Sequence, residues 1–200
     1  MTSAQTVEEV PLSAQERRPA SWGEIAVAFA RILASSDFPR GDLAELRRMD
    51  PDDPDAAVVW RLLARYDLLG RAQVESKWAL ILHGMALMTS TAAGDAAGRS
   101  AHDGAVPVGQ AIFSGGDSQR SSAYYSESRL NRLLTARGPI LRTLLARMFR
   151  MIAAAGQPFN WREMAAFILN EGYDEEAAEQ GRRRIAREYY RAERQRTPSE

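Results

Sequence analysis

Apolar side chains in this chain return every three or four residues, and no stretch alternates apolar and polar positions as a half-buried strand would. A period near 3.6 is one face of a helix, so the pattern commits the backbone to helices. Local punctuation agrees. Ser21-Trp22-Gly23-Glu24 has the form of a capping box, and Trp22, Ile25, Phe29 and Ile32 follow on one face to about Ser35. Pro39-Arg40-Gly41 breaks that helix, and Asp42 with Glu45 repeats the capping pattern ahead of Leu46. Asp53-Pro54 sets a cap and a first-turn proline before a helix to about Leu69, striped by Val59, Leu62, Leu63 and Tyr66. Residues 72–90 form the most apolar helix. Residues 91–107 are small and polar and read as a loop, and Val108–Phe113 as one or two helical turns. Ser126 caps a helix through Leu134. Pro139 opens one that Gly156 ends, Asn160 and Glu163 cap the next, and Asp174 starts the last. The fold class is all-α: two small helical-bundle lobes joined by a linker. A flexible N-terminal tail covers 1–20, one lobe 21–115 and the other 123–196, with Ser114–Ser122 between them.

Composition removes several kinds of chemistry. There is no cysteine, so disulfides, thiolate metal sites and a cysteine nucleophile are excluded. No apolar run approaches the roughly 18–20 residues of a membrane span, and residues 1–19 lack a signal-peptide core, so a soluble cytoplasmic protein is expected. The sole lysine, Lys77, has no glycine-rich phosphate loop around it. The two histidines are His83, within the apolar helix, and His102. His102-Asp103 raises an HD-like metal phosphohydrolase with His83, His102, Asp103 and Asp117 as ligands. Its Gly/Ala-rich loop is a poor platform for converging ligands. Ser114 has no recognisable histidine base. Met85, Met88, Met148 and Met151 read as core filling. No catalytic residue, metal or cofactor is assigned.

Charge is the informative property. The net charge is zero, yet residues 1–117 hold 11 basic and 16 acidic side chains, and residues 118–200 hold 15 and 10. Between Ser128 and Trp161 lie Arg129, Arg132, Arg137, Arg142, Arg147 and Arg150 without one carboxylate. Arginine supplies 25 of the 26 basic side chains, and guanidinium pairs bidentately with phosphate. GC-rich coding accounts for Arg over Lys but not for the missing acids. Arg129 and Arg132 share a helix face. Arg142, Arg147 and Arg150 fall within an arc of about 140° on the next helix, leaving Leu141, Leu144, Leu145, Met148 and Ile152 for the core. Two adjacent helices can therefore present one basic face to an anion. Arg182–Arg184 and Arg187 are interleaved with Glu175, Glu176, Glu179 and Glu188 and read as a solvated ion-pair face. Arg47 and Arg48 make a smaller patch beside Asp42, Glu45 and Asp50.

The order of short segments resembles the CasB family, the small subunit of the type I-E CRISPR interference complex called Cascade. The segments are Gly41-Asp42-Leu43-Ala44-Glu45-Leu46-Arg47-Arg48, Val108-Gly109-Gln110-Ala111, Ser126-Glu127-Ser128-Arg129-Leu130-Asn131-Arg132-Leu133-Leu134, Asn160-Trp161 and Arg187-Glu188-Tyr189-Tyr190. The resemblance spans Trp22 to Arg191 and implies a two-lobed helical protein without enzymatic activity. It also implies partners: CRISPR RNA and target DNA, the displaced strand, the backbone and large Cascade subunits, and a second copy of itself packed head to tail. Arg47, Arg48, Arg129 and Arg132 carry over on the matched segments, whereas Arg137, Arg142, Arg147 and Arg150 enter on charge. Asn170-Glu171-Gly172-Tyr173 stands where relatives often have a Trp. The rivals are the HD-like hydrolase and a helical protein–protein interaction module whose arginines meet acidic partners.

Overall fold

The computed structural model describes residues 21–90, 99–117 and 122–196. The expected tail over 1–20, the loop residues 91–98 and the linker residues 118–121 lie outside the described residues. Those described form nine helices: α1 (Trp22–Ala34), α2 (Arg40–Arg48), α3 (Ala57–Ala64), α4 (Ala72–Met88), α5 (Val108–Ser114), α6 (Glu127–Thr135), α7 (Gly138–Ala155), α8 (Trp161–Asn170) and α9 (Glu175–Arg196). Among them there is no strand, only isolated bridges between Ser90 and Arg99 and between His102 and Phe159.

Several helix ends follow from local chemistry. Ser21 and Glu24 form both bonds of the capping box, with the Glu24 amide donating to Ser21 Oγ at 3.3 Å and the Ser21 amide donating to Glu24 Oε2 at 2.7 Å. Asn160 accepts from the Arg162 amide at the start of α8. Gly156 ends α7 in the left-handed conformation at φ 65°. Two expected starts differ. Helix α2 begins at Arg40 rather than Asp42, because Asp42 pairs with Arg61 at 2.8 Å and Glu45 accepts from the Ala57 amide at 3.2 Å. Those two carboxylates join α2 to α3 instead of capping α2. The same Glu45 contact makes Ala57 the first residue of α3, three positions after Pro54, and α3 ends at Ala64.

Helix α4 lies at the centre, with every residue from Trp78 to Ala86 buried. A helix apolar all round must be covered on all sides. Helices α1, α2, α3, α7 and α8 surround it. Gly84 makes this possible: a Cβ there would stand 2.6 Å from Phe149 and 2.7 Å from Trp161. Helix α1 also packs on α8, and α5 packs on α9, where a Cβ on Gly109 would meet the Ile185 carbonyl oxygen at 2.2 Å. The buried side chains therefore form one cluster from Ile25 to Ala192, drawing on both segments that the sequence assigns to separate lobes.

Candidate nucleic-acid interface

The extended segment Tyr124-Tyr125 ties α6 to the rest of the molecule. The Tyr124 and Tyr125 amides donate to the Phe113 and Ile112 carbonyls at 2.8 and 3.0 Å, and the Tyr189 hydroxyl donates to the Tyr125 carbonyl at 2.7 Å. From this anchor α6 runs beside α7. Leu130 and Leu133 point into the core, which turns Arg129 and Arg132 outward. On α7, Leu141, Leu145, Met148 and Ile152 are buried, so Leu144, Arg147 and Met151 (spacings of three and four) share the face beside α6. The result is a cavity of about 290 Å³ lined by Tyr125, Arg129, Arg132, Leu144, Arg147 and Met151. Three guanidiniums converge there, and no carboxylate is among the lining residues.

Arg129 Nη1 stands 3.6 Å from Met151 Sδ, and the Tyr124 hydroxyl donates to the Met151 carbonyl at 2.9 Å. Burial pushes the Tyr125 phenol above its ordinary pKa, while the Arg129 and Arg132 charges oppose that shift. Glu127, the nearest acid in sequence, accepts from the Tyr190 hydroxyl at 2.8 Å.

The other arginines singled out in the sequence go elsewhere. Arg142 is drawn from the face altogether: it donates to Asp52 Oδ1 and the Pro51 carbonyl at 2.7 Å each, and to Ser76 Oγ at 3.3 Å. Arg47 donates to the Ala86 and Thr89 carbonyls at 2.8 and 2.6 Å, capping the C-terminus of α4, and burial lowers its pKa. Arg137 donates to the Leu134 and Ala136 carbonyls and lies 3.6 Å from Glu179. Arg48 and Arg150 are exposed, and Arg150 is close enough to His83 to help depress its pKa. On α9, Arg182 departs from the expected solvated face. It is 3% exposed, pairs with Glu171 and Glu179, and lies over the Phe167 ring at 5.2 Å.

Both histidines are engaged in packing. His83 Nδ1 donates to the Leu46 carbonyl at 2.9 Å, and burial lowers its pKa. His102 Nδ1 accepts from the Trp161 amide at 3.1 Å, which fixes the proton on Nε2; burial and Arg162 lower its pKa. Asp103 accepts from the Ala105 amide at 2.8 Å. Among the described residues no three His, Asp or Glu side chains gather as a metal shell, and no helix is long and apolar enough to cross a membrane.

Leu144 and Met151 pack partly buried against the core, as the sequence suggests, and also line the cavity, whereas Tyr125 is not singled out by the sequence. Its position immediately before the Ser126 cap was the available signal.

The fold and the site together define an all-helical protein with an arginine-lined cavity between α6 and α7. The family model for CRISPR-associated protein Cse2 matches residues 42–190, and the chain belongs to that family. Two solved structures share the fold. The crystal structure of M. ruber CasB is 20% identical, with a TM-score of 0.60 over 88% of this chain and 95% of that one. The CasB structure from Thermobifida fusca is 16% identical, with a TM-score of 0.63 over 86% and 99%. No curated protein sequence matches.

Proposed function

We propose that this chain is a non-catalytic small subunit of a type I-E Cascade complex, and that the α6–α7 face holds nucleic-acid backbone there. The observation that carries the reading is the convergence of Arg129, Arg132 and Arg147 on one cavity with no lining carboxylate. Guanidiniums so placed attract phosphate with no internal acid in competition. Arg150 and Arg48 are exposed, whereas Arg47 and Arg142 are engaged in bonds that hold the fold. R-loop formation is close to balanced, so a few phosphate contacts on the guide–target duplex or the displaced strand suffice to tip it. The guide RNA, the target DNA, the backbone and large subunits and a second copy of this chain are the partners in this reading.

The test is a double replacement, Arg129→Glu with Arg132→Glu. DNA affinity at ~0.1 M salt should fall at least tenfold with the helical circular dichroism unchanged, and the slope of log K against log salt should shrink by roughly 0.7–0.9 for each phosphate lost. Unchanged affinity refutes the reading. Partner binding that survives nuclease and is not competed by DNA assigns the arginines to an acidic protein instead.

A further inference from the structure

We propose that the cavity between α6 and α7 is a nucleotide pocket, taking one unstacked base of a single strand together with the phosphate beside it. This rests on the reading above and deepens it. A surface that only tracks phosphates needs charge on a convex helix face. Here the guanidiniums border a concavity of about 290 Å³ whose remaining wall is Leu144, Met151 and Tyr125. That volume lies at the lower limit of small-molecule pockets, roughly 300 Å³, and suits a single nucleotide better than a large cofactor.

The lining matches the two halves of such a ligand. A base is flat and apolar on its faces and polar at its edge. The Met151 thioether is a good neighbour for a π face, and guanidinium planes stack on bases. Arg129 is already held against Met151 Sδ at 3.6 Å, so one guanidinium lies along the wall where a ring would sit. Tyr125 lines the same cavity, and its phenol can offer a hydrogen bond to a base edge. Arg132 and Arg147 remain for the phosphate. A duplex keeps its bases stacked inside and presents only phosphate, so an unpaired strand alone fills both the wall and the charged border.

The experiment compares an oligothymidylate, an abasic strand of the same length and a duplex, each titrated against the full chain by fluorescence anisotropy at ~0.1 M salt. The thymidylate should bind about fivefold or more tighter than the abasic strand, as expected for one stacked base. Leu144→Ala with Met151→Ala should bring thymidylate affinity down to the abasic level and leave the salt slope unchanged. Arg147→Gln should weaken every strand alike and reduce the slope by about 0.7. An oligouridylate titrated in parallel identifies DNA or RNA as the source of the base, and a preference for either over the abasic strand supports the pocket. Equal binding of thymidylate and abasic strand overturns it while leaving the phosphate face intact. Affinity indifferent to Arg147→Gln and to salt overturns that face as well. The strand comparison on the unaltered chain stands even if the paired alanine variant melts early.

Discussion

Replacing Arg142 by alanine separates an arginine that holds the fold from those that face solvent. Its guanidinium is half-buried and makes three bonds, to the Pro51 carbonyl, Asp52 and Ser76. A hydrogen bond from a charged donor contributes about 1.5–3 kcal/mol, and the Pro51 carbonyl that accepts from Arg142 belongs to a buried residue. The Asp52 side chain is 56% exposed, so solvent screening limits that ion pair to about 1 kcal/mol or less. The loss should therefore be about 2–4 kcal/mol. In a chain of this size that lowers the melting temperature by roughly 5–12 °C. Asp52→Asn removes only the screened pair and should cost under about 1 kcal/mol. Arg142→Lys should fall between, because a single ammonium cannot span three acceptors in a fixed fork. Differential scanning calorimetry measures the stability series, and anisotropy checks DNA binding on the folded variants. An Arg142→Ala protein that melts within about 2 °C of the parent, yet loses DNA affinity as the Arg129 and Arg132 variants do, would refute the assignment of Arg142 to packing.

Gly109→Ala should be far more damaging than its single methyl suggests. The new Cβ meets the backbone carbonyl of Ile185 at 2.2 Å, so α5 and α9 must part, at a cost of about 1–3 kcal/mol or more that a urea melt would record. Stability should also decline in acid. Burial holds His83 and His102 below their ordinary pKa of 6.5, so the unfolded chain binds protons more readily and folding weakens as pH falls through and below that value. His102→Gln, whose side-chain oxygen can accept from the Trp161 amide, should flatten part of that decline in melts between pH 7 and 5; an unchanged profile assigns the effect elsewhere.

The helices were legible where their signals are local. Ser21 with Glu24, Asn160 and Gly156 act within one turn of themselves, and the structure uses them as the sequence suggests. The start of α2 was misread because the same residue types serve a distant need: Asp42 pairs with Arg61, and Glu45 reaches the Ala57 amide twelve residues on. The arginines divide in the same way. The (i, i+3) spacing places Arg129 and Arg132 on one face from sequence alone. Nothing in the sequence near Arg142 announces that its partner lies ninety residues earlier, nor near Arg47 that it will cap α4 some forty residues later. The missing carboxylates between Ser128 and Trp161 are a property of the segment as a whole. They could not sort its arginines between solvent and the fold.

The wholly enclosed fourth helix has a consequence for how this chain can vary. Its coat comes from segments on both sides of the glycines at 115 and 116, so a break at those glycines would strip Trp78, Met85 and their neighbours of half their cover. Relatives cannot trade front or rear halves as interchangeable modules without rebuilding that seam. Drift in one half must be answered in the other, and compensating pairs of substitutions are to be sought across it, at Gly84 against Phe149 and Trp161.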